Sequence, residues 1–566
     1  MQVKQEKEPK VLQGGELTRR ENFYEEDETL HKILESILDD EFLAFAKREL
    51  HEFGELCANE IDARAVHTDR EGEPRLLTHN KYGEEISKVW VNEGYKQTRD
   101  QTYNTGIVGY VHKKIPALNR RGNYTYSFAQ GYLLSQAEPG FYCPVTLTLA
   151  TSYLLDHYGN DDIKEKFLPY VCSTGELPLY EGATFLTERQ GGSDVGANIV
   201  KAIRDGDQYR IYGEKYFASN AGMCGVAMVL ARIEGAPEGS RGLTLFAVPW
   251  QKDNGRLNDL KIRRLKDKLG VRAVPSAEVE FNGSLAYVVG DWKKGFYYMM
   301  EALNLSRVAN AVASVGIMRR AFTEALSYTS RREAFGQRLI EFPMIQDTLG
   351  KLKAKLHAEL ITIFDMIKLF DRVTNNQVTK EEVILNRLFI AIMKKEAAAQ
   401  SIHFCHEAIE LHGGNGYIED FVTPRLLRDA QVLTVWEGTE NILALELVRL
   451  VNKYEAHKLF INTLKGRLEQ LTDNQLTNVI HAKLKDISNE LDVFSGMSYN
   501  MQTFEAKSLA EKMAHLYESV IVLEWAERYQ GKFVKLADIY IEDTWHIREL
   551  GDQMTTVNYF KDIIYV

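Results

Sequence analysis

The chain lacks the features that mark membrane, secreted and disulfide-stabilised proteins. None of its apolar runs approaches the roughly 18 to 20 residues that a membrane-spanning helix needs. Its first thirty residues are mostly charged and polar, so the sequence predicts no secretory signal and a cytoplasmic location. The five cysteines are scattered and none share C-x-x-C spacing. We therefore expect reduced thiols rather than a disulfide framework or a metal site.

An excess of positive charge is also absent. The chain has 69 Lys and Arg against 80 Asp and Glu, a formal net charge of −11. From residue 456 onward there are 12 Lys and Arg against 16 Asp and Glu, so the C-terminal tail is acidic as well. Because DNA is bound by clustered cations that displace counterions, this balance disfavours duplex DNA as a partner.

The periodicity of the apolar residues divides the chain into four parts, and 566 residues are enough for three or four domains. Helical spacing dominates from about residue 28 to 182 and returns from about 295 onward. Between them, short alternating segments separated by Gly and Asp pairs predict strands joined by tight turns. We expect strands over 209–212, 227–231, 243–248 and 277–281. The predicted domains are an N-terminal helical domain (1–182), a middle β-domain (183–290), a helical bundle (291–455) and a C-terminal extension formed by a helical pair (456–566).

Glu437 is the most informative single residue. It lies in Thr-Val-Trp-Glu-Gly-Thr-Glu-Asn, residues 434–441, between an aromatic ring and a glycine and just before a helical pattern. Aromatic cover removes water from a carboxylate and raises its pKa, which suits a general base. On its own, the octapeptide more often marks a capped helix start with an acid near the helix dipole. Other motifs in the chain decide between a general base and a helix cap.

Four further motifs precede Glu437 in the chain. Residues 185–194 read Phe-Leu-Thr-Glu-Arg-Gln-Gly-Gly-Ser-Asp, where hydroxyls flank glycines that let backbone N–H groups approach a ring or a phosphate. Residues 213–222 read Gly-Glu-Lys-Tyr-Phe-Ala-Ser-Asn-Ala-Gly. Residues 331–337 contain R-x-x-F-G, and residues 410–417 read Glu-Leu-His-Gly-Gly-Asn-Gly-Tyr. Each alone is a turn or a helix end, but together with Glu437 they resemble, in order and spacing, the acyl-CoA dehydrogenase flavoprotein superfamily over about residues 130 to 453.

The resemblance implies FAD as the cofactor and assigns its contacts. Phe217 would cover the isoalloxazine and Ser219 would bond near flavin N5, although the family usually has Trp and Thr there. Arg332 would reach the FAD pyrophosphate of a neighbouring subunit, where an arginine fork suits a diphosphate. Glu410 replaces the usual glutamine of its motif, whose tight glycine turn would let the FAD of a partner subunit lie against the backbone near Gly414. The implied cofactor-binding set is Leu186, Thr187, Gly192, Ser193, Phe217, Ser219, Arg332, Phe335, Glu410, Gly414, Trp436, Thr439 and Asn441.

The resemblance also implies a reaction. Glu437 would remove the α-proton of an acyl-CoA thioester while the β-hydride passes to flavin N5, with the carbonyl polarised by a backbone N–H and a ribityl hydroxyl. Substrate contacts would come from Ser193, Arg307 and Gly438. Some branches carry the base just before the arginine that Arg307 matches. Ser306 stands there and cannot act unaided, so Glu437 is the family-style base.

The implied fold is α+β, with an N-terminal helical domain, a central β-barrel or sandwich, a C-terminal four-helix bundle and the extra helical extension. The resemblance also implies assembly as a homotetramer that is a dimer of dimers.

Residues 136–150 and 264–270 match best the AidB-like branch, whose members bind duplex DNA through a basic C-terminal domain. Three interpretations stay open: an FAD-dependent acyl-CoA dehydrogenase served by an electron-transfer flavoprotein or another acceptor, which we favour; a DNA-associated flavoprotein; and an acyl-CoA-binding flavoprotein or sensor with little turnover.

Overall fold

The computed structural model describes residues 22–549 and 552–564. Its N-terminal part is mainly helical, and two side-chain caps explain where the first helices begin. Asp27 accepts a hydrogen bond from the Leu30 amide, and Asp39 accepts one from the Phe42 amide. A short π-helical segment links the second and third helices. The helices are α1 Glu28–Ile37, α2 Asp40–Leu56, α3 Asp62–Arg70, α4 Glu93–Asn104, α5 Gly109–His112, α6 Tyr124–Ala137, α7 Pro139–Tyr158 and α8 Asp161–Val171.

Two hairpins that the periodicity does not predict interrupt this mainly helical part. One hairpin joins β1 Arg75–His79 to β2 Glu85–Trp90, and a smaller one joins β3 Lys114–Ile115 to β4 Arg120–Arg121. The first hairpin is largely exposed, with Leu77 and Trp90 open to solvent. A strand pair with so little buried surface leaves only a weak alternating pattern in the sequence.

The middle part is a seven-stranded sheet that closes on itself. Its strands are β5 Glu181–Phe185, β6 Lys201–Asp205, β7 Gln208–Ser219, β8 Cys224–Ile233, β9 Leu243–Pro249, β10 Leu260–Leu265 and β11 Ser276–Val288. Pairing runs β11–β7–β6–β8–β9 and back to β11, with β10 and β5 added at the sides. This closed pairing is the expected β-barrel, and all four predicted strand segments lie inside β7, β8, β9 and β11.

The helical bundle follows the barrel and carries the second half of the site. It consists of α9 Gly295–Arg331, α10 Pro343–Thr374, α11 Lys380–His412, α12 Thr423–Leu433 and α13 Glu440–Tyr454. A small hairpin of β12 Glu333–Ala334 and β13 Gln337–Arg338 separates α9 from α10. The three long helices pack on one another, and α9 also packs on α6 and α7 of the N-terminal part. The expected α+β arrangement is therefore present.

The C-terminal extension has five helices among the described residues, so the predicted helical pair is incomplete. These helices are α14 Ala456–Leu468, α15 Gln475–Ser495, α16 Tyr499–Tyr529, α17 Lys532–Thr544 and α18 Thr555–Ile564. The predicted pair corresponds to α15 and α16, whose apolar residues repeat every three to four positions. The three additional helices are only 10 to 13 residues long, too short for a stripe to stand out.

The extension shares the core of the bundle. Helix α16 packs against α10, α11 and α13, while α17 and α18 pack against α10. One hydrophobic cluster runs from Phe23 near the start of the described residues to Ile563 near their end. The four-part domain division stays a prediction, because buried apolar contacts continue across its proposed boundaries.

Buried charge also joins the extension to the bundle. The Lys355 ammonium on α10 lies 2.9 Å from a Glu396 oxygen on α11 and 2.8 Å from a Glu518 oxygen on α16. Glu359, one turn along α10, is a third carboxylate at 3.2 Å. Burial and the neighbouring carboxylates raise the pKa of Glu359 well above its usual value. A charge buried this deeply is stable only when it is paired with an opposite charge, so Lys355 links α10 to α11 and α16.

None of the helices within the described ranges combines the length and the apolarity that crossing a bilayer requires.

Candidate functional site

A cavity of about 1650 Å³ lies where the barrel meets the helices. Its walls come from α7, the barrel loops around residues 186–199, the first turns of α9, and the segment that joins α12 to α13. Pockets for one drug-sized ligand usually span roughly 300 to 1,000 Å³. The cavity therefore has room for more than one such molecule side by side.

Eleven of the sixteen residues predicted from the motifs line this cavity, although they are spread over more than 250 positions of the chain. They are Leu186, Thr187, Gly192, Ser193, Phe217, Ser219, Arg307, Trp436, Glu437, Gly438 and Thr439. The first six belong to the barrel and the rest to the bundle. The roles assigned to these residues stay predictions, but their common location places the barrel motifs opposite the Glu437 loop.

A buried ion pair shapes the barrel wall of the cavity. Glu188, which follows Thr187, is 2 % exposed and lies 2.9 Å from the ammonium of the fully buried Lys215 on β7. Lys215 also donates to the carbonyl oxygen of Leu186 at 3.1 Å, and Glu188 accepts from the Ile199 amide at 2.7 Å. The Glu of the first motif and the Lys of the second thus hold the loop in place and leave its hydroxyls facing the cavity.

This wall fits a flat cofactor. A side chain at Gly192 would begin 2.6 Å from the Thr187 hydroxyl, so only glycine keeps that hydroxyl accessible. Phe217 at the end of β7 is 55 % exposed, an unusual state for a phenylalanine in a cavity wall unless a ligand covers it. The Ser219 hydroxyl is hydrogen-bonded to that of Ser276 at 3.0 Å. An exposed ring beside hydroxyls and a bare glycine backbone suits the isoalloxazine of FAD.

The opposite wall presents Glu437 on a constrained loop. Glu437 has φ +60° and Gly438 has φ +106°, and a non-glycine residue in the left-handed region costs of order 1 kcal/mol or more. Side chains from two helices hold the carbonyl oxygens of this loop. Arg307 Nε on α9 donates to the Glu437 carbonyl at 3.0 Å, and Lys394 Nζ on α11 donates to the Gly438 carbonyl at 2.8 Å.

The Glu437 carboxylate is free to react. It forms no hydrogen bond and no ion pair with any residue of the described ranges, and its side chain borders the cavity. Burial raises the pKa of Glu437 to about 6, while Arg307 and Lys394 act in the opposite direction. A carboxylate with a pKa in this range is ionised near neutral pH and still has appreciable proton affinity, as a general base requires.

A second strained residue stands in the cavity wall. Val271 has φ +47°, which is rare for a β-branched side chain. Its amide donates to Asp429 Oδ1 at 2.5 Å, and Asp429 lies on α12. Burial raises the pKa of Asp429 to about 6. This contact fixes the barrel loop 268–271 against the bundle and so sets the shape of one end of the cavity.

The other five predicted residues lie outside the cavity. Asn441 is exposed on the first turn of α13. Arg332 and Phe335 are exposed after α9, and Glu410 and Gly414 are exposed at the end of α11. A hydrogen bond of 3.0 Å from Asn415 to the Tyr328 hydroxyl draws these two ends together. The structure therefore brings the two motifs that resemblance assigns to a neighbouring subunit's FAD onto one surface of the molecule.

Two site residues were missed from the sequence. Lys394 reaches the Glu437 loop from α11, and Asn310 on α9 donates to the Leu433 carbonyl at 3.2 Å. The only hint in the sequence is the pair Lys394-Lys395 within an otherwise apolar stretch of helix. Ser306, the other position considered for a base, is buried and is not part of the cavity wall.

Three family models match the chain. They are the adaptive response protein AidB N-terminal domain over residues 15–175, the acyl-CoA dehydrogenase middle domain over 183–284 and the acyl-CoA dehydrogenase C-terminal domain over 293–451. The matches follow one another in the chain order that the motifs predicted.

Individual relatives agree with these matches. Acyl-CoA dehydrogenase family member 11 of Caenorhabditis elegans is 30% identical over 531 residues, covering 89% of this chain and 84% of that protein. Putative acyl-CoA dehydrogenase AidB of Escherichia coli is 32% identical over 343 residues, covering 59% and 61%. The crystal structure of Caenorhabditis elegans ACDH-11 in complex with C11-CoA superposes with a TM-score of 0.86 at 26% identity, covering 100% of this chain and 99% of that one.

Proposed function

Because the chain belongs to the acyl-CoA dehydrogenase family, on the AidB-like branch and with FAD as its cofactor, we propose that it oxidises an acyl-CoA thioester to the enoyl-CoA with Glu437 as the base. One observation carries the proposal. An unpaired carboxylate with a raised pKa borders a cavity that has room for a cofactor and a substrate, across from the motif residues of the barrel.

Several residues of the chain have distinct roles in the proposed reaction. When bound, FAD supplies the acceptor for the β-hydride. Glu437 takes the α-proton onto its carboxylate, and its own backbone N–H, which donates to no acceptor in the described ranges, is available to the thioester oxygen. Arg307 and Lys394 keep the loop in place through its carbonyl oxygens. Trp436 lines the same cavity next to Glu437.

The pKa of Glu437 predicts the pH dependence of the reaction. The base acts only when ionised, and burial raises its pKa to about 6. The second-order rate constant for flavin reduction by an acyl-CoA should therefore rise with pH through about 6 and level off above it. Stopped-flow measurements between pH 5 and 8 would show this. A rate that is flat across that range would exclude Glu437, with this pKa, as the base of the rate-limiting step.

The structural relative that was crystallised with C11-CoA supports a choice of substrate class. We propose a saturated acyl-CoA of medium chain length. The experiment is an anaerobic titration of the FAD-loaded protein with short, medium, long and branched acyl-CoAs, followed by flavin absorbance. Bleaching by medium chains supports the proposal. A flavin that every thioester binds without bleaching would instead support a binding or sensing role, and reoxidation by an electron-transfer flavoprotein or by air would identify the acceptor.

The exposed surface near α9 and α11 supports assembly. Phe335 is 98 % exposed and Tyr417 is 82 % exposed, although both are large apolar or aromatic residues next to glycine turns. Such patches on a protein surface usually mark a binding site. We propose that this surface covers the FAD of a second copy, within a homotetramer that is a dimer of dimers.

Arg332→Ala tests that arrangement. Loss of a charge-assisted bond to a diphosphate should weaken FAD binding about ten- to a hundredfold. Flavin content after gel filtration and the elution volume measure both retention and assembly. The control is Arg338→Ala, which removes an arginine from the same hairpin that is already paired with Glu341 at 3.0 Å. Equal flavin content in the two variants would contradict the assignment.

The DNA-binding interpretation gains no support from the extension. Its cations are largely engaged by carboxylates: Arg467 contacts Asp365 and Glu524, and Lys512 contacts Glu490. A duplex would have to compete with these ion pairs in an acidic tail. We therefore expect no salt-dependent retention of the protein on duplex DNA.

A further inference from the structure

Lys394 is an unusual group to find beside the Glu437 loop. It is 1 % exposed, in the middle of α11 and among apolar neighbours such as Met393 and Ala397. Its one hydrogen bond within the described ranges goes to the Gly438 carbonyl at 2.8 Å, and it forms no ion pair there. Burying an ammonium without a carboxylate partner is costly, and a methionine would fill the same space without that cost. Packing alone therefore does not account for this lysine.

The position of Lys394 relative to the loop gives it two effects. Its ammonium holds a carbonyl oxygen directly after Glu437, at a glycine with φ +106° that follows a glutamate with φ +60°. Two successive residues in the left-handed region persist only where their surroundings hold them. Lys394 is also a positive charge close to the Glu437 carboxylate, and it opposes the rise in the pKa of Glu437 that burial causes.

Arg307 does not duplicate this role. It holds the preceding carbonyl, that of Glu437 itself, from α9 on a different side of the loop. Among the carboxylates near Arg307, Glu446 does more than Glu437 to favour the charged form of the arginine. The charged and titratable groups that act on Glu437 and Lys394 from other elements are Cys143 on α7 and Arg307 on α9. Arg307 in turn interacts with Arg387 on α11 and with Glu446 and Arg449 on α13.

We propose that Lys394 is a positioning residue for the dehydrogenation: its ammonium holds the strained loop that presents Glu437 and provides the nearby positive charge that keeps this carboxylate ionised. The inference rests on the proposed function of Glu437. Burial lowers the pKa of Lys394 to about 7, and Glu437 favours its charged form, so the two groups influence each other's protonation.

The test compares Lys394→Met with Lys394→Gln, which keeps a hydrogen-bond donor and removes the charge. The matched control is Lys395→Met, one residue further along α11, whose ammonium points toward the extension and contacts Glu511 at 3.1 Å. Two quantities are measured on the FAD-loaded protein. The first is amide hydrogen exchange in the peptide covering 434–441, and the second is the pH dependence of flavin reduction by a reactive acyl-CoA.

The expected result is different for each variant. Lys394→Met should speed exchange in 434–441 about tenfold. It should also move the acid limb, the part of the pH profile where the rate of flavin reduction falls as Glu437 is protonated, to a pH about one unit higher. Lys394→Gln should give the same shift in the limb with a smaller change in exchange. Lys395→Met should leave the acid limb at its wild-type position and change exchange by less than about twofold, since the contact that it loses within this peptide, with Glu440 at 3.4 Å, is partly exposed. If Lys394→Met does not fold, Lys394→Gln alone still tests the shift of the limb.

Two results would overturn the proposal. One is faster exchange with an unmoved acid limb, which would make Lys394 a structural residue only. The other is no change in either quantity. The exchange measurement needs no turnover. A wild-type flavin that no thioester reduces would therefore contradict the proposed function, while unchanged exchange in Lys394→Met would separately contradict the hold on the loop.

Discussion

Glu437→Gln should retain FAD and bind acyl-CoA, yet lose flavin reduction by about a thousandfold or more, because the amide cannot accept the α-proton. Glutamine has nearly the same shape as glutamate, so the loop that Arg307 and Lys394 hold through backbone carbonyls should stay intact. Single-turnover bleaching of the flavin under anaerobic conditions measures the loss. Flavin content and acyl-CoA affinity, measured on the same preparation, show that the site itself is preserved.

Glu440→Gln is the matched control for this variant. Glu440 begins α13 three residues later and contacts Lys395 at 3.4 Å and Lys507 at 3.8 Å, on the side of the helix away from the cavity. Its loss should leave the reduction rate within about twofold, since such partly exposed ion pairs contribute little. Equal rates in the two glutamine variants would remove Glu437 from the role of base.

Lys355→Met should have the largest effect on stability. It leaves Glu359, Glu396 and Glu518 buried together without their shared cation, and removing one partner of a buried ion pair typically costs about 3 to 5 kcal/mol. Because Lys355 connects α10, α11 and α16, the loss should free the extension first. The urea midpoint, followed by circular dichroism at neutral pH, measures the change.

Lys351→Met, one turn earlier on α10, is the comparison. Lys351 contacts Asp347 at 3.0 Å and Asp543 at 3.2 Å but is partly exposed, so its loss should change the free energy of unfolding by about 1 kcal/mol or less. A Lys355 variant as stable as the Lys351 variant would show that the buried cluster does not hold the extension on the bundle.

The periodicity of the sequence predicts the large elements of the fold well because their burial is one-sided. Four strand segments and the long helices α15 and α16 follow from it. The apolar residues from Leu30 to Phe42 keep helical spacing but belong to two helices, since Leu38 is extended and Asp39 caps the second one. The exposed β1–β2 hairpin and the short helices of the extension bury too little surface to leave a clear pattern.

The candidate site combines residues from short local motifs with residues that are distant in the chain. The cavity residues at 186–193, 217–219 and 436–439 belong to short motifs, so the family resemblance of those motifs points to them. Lys394 lies 44 residues from the carbonyl that it holds, and Asn310 lies 123 residues from its acceptor. Contacts of that range depend on how α9 and α11 pack, which no local pattern contains.

Product analysis after one turnover tests the central claim most directly. The FAD-loaded protein is mixed anaerobically with a medium-chain acyl-CoA, quenched and examined by mass spectrometry alongside Glu437→Gln. The account predicts an acyl-CoA that has lost two hydrogens, in an amount equal to the flavin reduced, and none from the variant. Recovery of unchanged acyl-CoA with fully oxidised flavin from the wild-type protein would contradict it.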